Sequence, residues 1–412
     1  MSNGISRRNF MRSGLCGAAY APFSNTLLPM QRRQEKPGIK EFRVLGRTGM
    51  KVSDVSLGAG VPQDPALVNY VIDLGVNYVD TAERYARGQS EVTIGEIAKK
   101  RRKDFYITTK LAVSENDTEQ RLIDRFHGCL ERLQTDYVDV LMFHNPADTE
   151  TLTHPAFHSA FQKLKADSKV RFTGLSSHEP SMVDICNFAV DDGRFDVLLL
   201  VYNFMQEKAA GLLRHAREKN IGTTIMKVHA SEHPEQLMRI PAGERQKLQE
   251  EADRQTLLFR NRYNLSENEY FGAALRWVLQ NNDVGTACMS IRNFTQADNY
   301  ISCSGNPFTG EDTDTLGFYS RVLDSSYCRH ACGECELSCP NGVAINDVLR
   351  IDSYFTNYRQ EKTAMVRYSE LKDDRKALPC GDCEGHCDAR CRYNLAVRNR
   401  LIEAHKRLTL QA

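Results

Sequence analysis

Val76-Asn77-Tyr78-Val79-Asp80-Thr81-Ala82-Glu83-Arg84-Tyr85 starts apolar and ends polar. Val76, Val79 and their flanks read as a buried strand, although Asn77 and Tyr78 break clean alternation. Asp80 falls at the carboxyl end of that strand and Tyr85 in the loop beyond it. A carboxylate and a phenol in such a place are awkward for a core and useful for a site. The same arrangement recurs downstream. Phe105-Tyr106-Ile107-Thr108-Thr109 ends in Lys110, and Val138-Asp139-Val140-Leu141-Met142-Phe143 ends in His144. Val170-Arg171-Phe172-Thr173-Gly174-Leu175 ends in Ser176, Ser177 and His178. Polar groups at the carboxyl ends of successive parallel strands mark the active face of an α/β fold of the (β/α)8 TIM-barrel type.

Four ordered motifs, NYVDTAERY (77–85), ITTK (107–110), CLERLQTDYVDVLMFHNP (129–146) and GLSSH (174–178), give the sequence its resemblance to the aldo-keto reductases over roughly residues 40 to 303. The resemblance implies a catalytic tetrad, which falls on Asp80, Tyr85, Lys110 and His144. The chemistry of these four can also be argued directly. Reduction of a carbonyl by hydride leaves a developing alkoxide that needs a proton. A phenol can supply it, but its reference pKa of about 10 is high. The Lys110 ammonium favours the phenolate and lowers that value, and Asp80 keeps Lys110 charged. His144 can donate a hydrogen bond to the carbonyl oxygen and orient the substrate. The plainer reading, four polar groups satisfying one another in a barrel mouth, suits any one of them alone better than all four in order.

The chain has 412 residues, a formal net charge of +1 and a hydrophobic fraction of 41%. That length allows one barrel, expected over 40–310, and a further domain, expected over 320–412. The near-neutral charge gives no reason to expect nucleic acid. The basic block Lys99-Lys100-Arg101-Arg102-Lys103 closes a predicted helix, where cations suit the helix dipole, and reads as a solvated helix end. Residues 1–35 read as signal and linker. Ser6-Arg7-Arg8-Asn9-Phe10-Met11-Arg12 resembles a twin-arginine signal, which implies export to the periplasm or cell envelope. The weakly apolar stretch after it is broken by Pro22 and Pro29, so no transmembrane span is expected in the mature protein.

Phe42 to Val52 reads as a hairpin with Thr48-Gly49 near its turn, and the resemblance implies that it plugs the barrel floor. Gly58-Ala59-Gly60 reads as a tight strand-to-loop turn, because Gln63 stands where a dinucleotide fingerprint needs its third glycine. Ser90 is expected to cap a helix carrying Ile94, Ile97 and Ala98. Thr118 is expected to cap one carrying Leu122, Phe126, Leu130 and Leu133. Later strands are expected over 195–201, 222–228 and 284–290, and the charged stretch 230–262 reads as an insertion over the mouth.

The nucleotide sites follow from the resemblance. It implies a Ser-Asn pair for the nicotinamide carboxamide after the fifth strand, where Ser176 matches and Ser177 departs. Leu199 replaces an expected Gln on the sixth strand, just before Tyr202. After the eighth strand the adenosine end falls to Arg292 and Asn299. Arg292 suits a 2′-phosphate, hence NADP, with NAD the alternative if that arginine is only an exposed loop residue.

Five of the 13 cysteines, Cys16, Cys129, Cys186, Cys288 and Cys303, read as small buried hydrophobes. The other eight form two runs. Cys328, Cys332, Cys335 and Cys339 are spaced C-x3-C-x2-C-x3-C, followed by Pro340. Cys380, Cys383, Cys387 and Cys391 are spaced C-x2-C-x3-C-x3-C, with Arg392 where Pro is usual. The pair resembles a ferredoxin-like module with two [4Fe-4S] clusters. In that module Cys391 completes the first set, with Cys328, Cys332 and Cys335, and Cys339 completes the second, with Cys380, Cys383 and Cys387. Disulfides and zinc compete, as does a purely structural pair of clusters. The helix expected over Asn346 to Tyr358 is a candidate for docking this module on the barrel.

Two function classes remain. One is a nicotinamide-dependent oxidoreductase acting on a carbonyl or alcohol, sugars among them, whose clusters relay electrons to an external partner. The other is a redox- or nucleotide-sensing binding protein on a reductase scaffold with structural clusters.

Overall fold

The computed structural model describes residues 37–60, 64–230, 267–323, 328–357 and 360–409. The twin-arginine motif, Cys16, Gln63 and nearly all of the 230–262 stretch lie outside the described residues.

An antiparallel hairpin, β1 (Phe42–Val44) and β2 (Lys51–Ser53), precedes eight parallel strands. These are β3 (Val55–Gly58), β4 (Tyr78–Asp80), β5 (Tyr106–Leu111), β6 (Val138–His144), β7 (Val170–Ser176), β8 (Val197–Val201), β9 (Gly222–Met226) and β10 (Thr286–Met289). They close in chain order, with β10 pairing back onto β3, into the expected barrel. The strands are short, buried and flanked by helices, as a parallel sheet covered on its outer face requires. The hairpin seals the floor. Its Leu45, Met50 and Val52 pack with the inward Tyr78, Val140, Met142, Val197 and Leu199 in one internal cluster. Gly49 takes a left-handed φ of 67° at the turn.

The helix Glu119–Leu133 begins as expected, with the Thr118 hydroxyl accepting from the Arg121 N–H at 3.2 Å. It buries Leu122, Phe126, Leu130 and Leu133. The helix Gln89–Arg101 differs at its start. Gly88, with φ at 86°, holds the cap position. Ser90 instead donates to the Ala59 carbonyl at 2.8 Å and bonds Thr81 at 2.7 Å, tying the helix to the barrel mouth. The basic block is also less solvated than expected. Arg102 pairs with the buried Asp139 at 2.8 Å and lies 4.0 Å over the Tyr137 ring.

Beyond the barrel, the helices Ile345–Thr356, Glu361–Ser369 and Val397–Thr409 enclose a second core that includes Val348, Ile351, Ala364, Tyr368 and Leu401. This C-terminal helical module rests on the barrel loops that follow β7 and β8. Gln206 donates to the His330 carbonyl at 3.1 Å, and Lys208 pairs with Glu334 at 2.7 Å. Gly333 has a φ of 64°, and a Cβ there would lie 2.3 Å from Cβ of Pro180. No helix among the described residues is long and apolar enough to cross a membrane.

Gly95 separates two opposing effects. Alanine in a helix interior is intrinsically favoured over glycine by about 1 kcal/mol. A Cβ at Gly95, however, would lie 2.2 Å from the Arg132 carbonyl oxygen on the facing helix. Overpacking of this kind costs roughly 1–3 kcal/mol. Gly95→Ala should therefore lower the melting temperature by several degrees, read by calorimetry, and a rise would show that propensity dominates.

Candidate active site

Asp80 ends β4, Lys110 lies near the end of β5 and His144 ends β6, so three side chains reach one end of the barrel from adjacent strands. Tyr85 joins them from the loop after β4. Its position is fixed by a single tight turn in which Ala86 and Arg87 take left-handed φ values of 49° and 57°. Such backbone costs energy and persists only where its surroundings hold it. Glu83 supplies part of that hold, accepting from the Ala112 N–H at 3.0 Å and from the Arg125 guanidinium. Arg125 is itself braced by Asp117 at 3.1 Å. Sequence reasoning passed over this brace, because Glu83 and Arg125 are 42 residues apart.

Lys110 is fully buried. Its ammonium donates to Asp80 at 2.5 Å, to the Thr81 carbonyl at 2.7 Å and to the Tyr85 hydroxyl at 3.3 Å. Burial works against the charge on Lys110, but the Asp80 carboxylate outweighs it and holds the ammonium protonated well beyond its usual range. The Tyr85 ring meets the His144 ring edge-on, with centroids 5.7 Å apart. For Tyr85 the net direction departs from expectation. Burial raises the phenol above its ordinary value, and the opposing pull of Lys110 does not overcome it. Tyr85 is thus held as a neutral donor. His144 is also held neutral, because burial and the nearby cations Lys110, Arg367, Arg84 and Arg350 all disfavour imidazolium.

These groups face a cavity of about 160 Å³. Asp80, Tyr85 and His144 line it, with Leu199, Met226 and Met289 as apolar wall. Lys227, just past β9, lines it with a left-handed φ of 60°. His144, His178 and His229 line it too, and each has a buried ring nitrogen without a hydrogen-bond partner among the described residues. Cys288 faces this cavity, so it is not the simple buried hydrophobe expected. Tyr354, Gln360 and Arg367 complete the wall from the C-terminal module.

The residues expected at the nucleotide divide. Ser176 and Ser177 are buried beside the mouth but do not line the cavity. The Ser176 carbonyl accepts from the Asn145 N–H at 2.7 Å, and the Ser177 hydroxyl accepts from the Glu179 N–H at 3.4 Å. Tyr202 points into the outer wall, 4.9 Å from the Trp277 ring, and its hydroxyl accepts from Asn281 at 3.3 Å. Arg292 precedes the helix Phe294–Ile301 that follows β10, and Asn299 lies within it. The buried Asn299 amide nitrogen has no partner among the described residues. Ser290, between β10 and that helix, lines the cavity, and neither Arg292 nor Asn299 does.

In the C-terminal module the thiols of the two runs interleave. Cys328, Cys332, Cys335 and Cys391 line one crevice. Cys380 faces Cys339, Cys387 and Cys383, whose charges add to burial in raising its thiol. In this arrangement the last cysteine of each run lies with the first three of the other. All eight carry free thiols. No set of three or more Cys, His, Asp or Glu side chains among the described residues is gathered closely enough to hold a metal ion.

A model of the aldo/keto reductase family matches residues 61–317. The chain is 30% identical over 155 residues to the uncharacterized oxidoreductase YqkF of Bacillus subtilis (strain 168), a match covering 34% of this chain and 50% of that protein. It is 31% identical over 210 residues to the L-galactose dehydrogenase of Arabidopsis thaliana, covering 44% and 63%. The chain thus spans about half to three-fifths of the length of these relatives. In fold it is similar to the holo form of an aldo-keto reductase from Bacillus halodurans, with a TM-score of 0.53 at 20% identity, covering 71% of this chain and 99% of that one. The family match takes in well over half of the 412 residues and spans β4 to β10 with their strand-end polar groups, and on that footing the chain belongs to the aldo/keto reductase family.

Proposed function

We propose that the protein is a nicotinamide-dependent oxidoreductase that interconverts a carbonyl and an alcohol in the cavity between barrel and module. The observation that carries this reading is the chain Asp80–Lys110–Tyr85, buried at one end and open to the cavity at the other, with His144 beside the phenol. The nucleotide, NADP or NAD, supplies or accepts the hydride when bound. Tyr85 gives its phenolic proton to the developing alkoxide. Lys110 stabilises the phenolate left behind, and Asp80 keeps Lys110 charged without itself meeting the substrate. Neutral His144 donates to the substrate oxygen and sets its direction. An oxygen held by two neutral donors beside a fixed ammonium is stabilised most as it gains charge, which is what a hydride-transfer transition state requires. Asn299 and Arg292 are the residues proposed for the adenosine end. Sugars are among the substrates considered, in keeping with the L-galactose dehydrogenase named above.

The module is proposed to hold two [4Fe-4S] clusters, on Cys328, Cys332, Cys335 and Cys391 and on Cys380, Cys383, Cys387 and Cys339. The interleaved thiols support this, because a cubane takes one thiolate at each of four irons and so spaces its ligands more widely than a single ion does. The amino-terminal Arg7-Arg8 motif supports export by the twin-arginine route.

Three outcomes test these readings. Tyr85→Phe should lower kcat by roughly 10²–10⁴-fold while leaving nucleotide affinity unchanged, because only proton delivery is lost; full turnover in the variant would remove Tyr85 from its role. Protein purified without oxygen should contain iron and acid-labile sulfide, and Cys335→Ser should lose about one cluster of the two by iron analysis and electron paramagnetic resonance. Iron-free wild-type protein would end the cluster assignment. Changing Arg7 and Arg8 together to Lys should retain the folded chain in the cytosol on cell fractionation, and unaltered export would rule out this route.

A further inference from the structure

The cavity has an electrostatic character that proton transfer does not need. Two cations line it away from the tetrad, Lys227 from the barrel and Arg367 from the module. They approach the Tyr354 ring at 5.2 Å and 4.9 Å. Arg350 approaches the same phenol, with its guanidinium donating to the Tyr354 hydroxyl at 3.4 Å. The one carboxylate among the lining residues is Asp80, whose charge is balanced by Lys110 at 2.5 Å, and the Tyr354 phenol in the same wall sets at most one negative charge against Lys227 and Arg367. The nearby carboxyls Asp347 and Glu179 face Arg350, and neither lines the cavity. The field is strong enough to show in Tyr354. Burial alone would raise that phenol, yet Lys227, Arg350 and Arg367 together bring it down to about 6. Lys227 also sits in strained, left-handed backbone at a strand end, a conformation typical of functional positions.

We infer that Lys227 and Arg367 bind an anionic group of the substrate, so that the enzyme acts on carbonyl compounds bearing a carboxylate or similar oxyanion, and that the C-terminal module is needed to complete this subsite. The inference rests on the hydride-transfer reading above for the carbonyl, but not for the anion. His144, His178 and His229 line the same cavity. An ammonium and a guanidinium converging from two parts of the chain suit an oxyanion, because charge-assisted hydrogen bonds are about twice as strong as neutral ones. Phosphates of the nucleotide share this chemistry, and the test must separate the two sources.

The probes are succinic semialdehyde and butanal, similar in length and differing by a carboxylate. Calorimetry on the full-length protein reads their binding, steady-state kinetics with NADPH reads kcat/KM for each, and fluorescence reads the NADPH affinity. Wild-type protein should bind and reduce the semialdehyde with a preference of about 10- to 100-fold, the range expected for one charged hydrogen bond. Arg367→Gln should bring that preference near unity with NADPH affinity unchanged, and Arg367→Lys should restore part of it. Arg367 is half-buried on the short helix Glu361–Ser369, and the lysine variant controls for its packing. A preference that survives Arg367→Gln overturns the subsite. So does a loss of NADPH affinity with the preference intact, which would assign the cations to the nucleotide. Carboxylate-dependent binding without any reduction would leave the subsite standing and overturn the hydride-transfer reading. Reduction of butanal with no carboxylate preference would do the reverse.

Discussion

The buried ion pair between Lys110 and Asp80 is the constraint on which the site depends. An ammonium with no solvent exposure is expensive to bury, and its attraction to one carboxylate seldom offsets that cost with much to spare. The pair therefore adds little to stability by itself. What it provides is a fixed positive charge whose remaining hydrogen bonds go to the Thr81 carbonyl and the Tyr85 hydroxyl. Barrel strands on either side hold both partners, so no reorganisation is needed when charge develops on a bound oxygen. The same charge helps keep His144 neutral. That cation pulls both neighbours toward their less protonated forms, against burial at Tyr85 and together with burial at His144.

The barrel was readable in the sequence because its strands end in polar residues that a core would reject. The meeting of Asp80, Tyr85, Lys110 and His144 at one end of the barrel was readable for the same reason, each lying at or just beyond a strand end. Readings that relied on one residue type in one place fared less well. Ser90 looks like a cap, but the left-handed Gly88 already turns the chain and frees the hydroxyl for Ala59. Tyr202 was expected at the nucleotide, but it points into the outer wall. Parity along β8 would have argued for the wall, since Leu198 and Leu200 face the outer helices, and Tyr202 continues that series. Lys227 carried the same signal as Lys110, a cation at the end of an apolar strand, and it went unread. Tyr354 and Arg367 carried no such signal. They reach the cavity only because a separate core of helices docks over the mouth.

The two cysteine runs were legible in their spacing, and their thiols lie in two interleaved groups. The spacing did not reveal what lies between the cysteines. Cys332 and Cys335 enclose just Gly333 and Glu334, and these two residues meet Pro180 and Lys208 of the barrel. His330, between Cys328 and Cys332, meets Gln206 through its carbonyl.

The loop that presents the first thiol run is therefore also a contact between the module and the barrel loops. It leaves no slack: Gly333 touches Pro180 so closely that a methyl group would part the surfaces. Any rearrangement of that loop must move the roof helices that carry Tyr354 and Arg367, or else break the contacts with Gln206 and Lys208. The thiol-bearing loop and the wall of the cavity are in this way mechanically geared together, over a seam only a few residues wide.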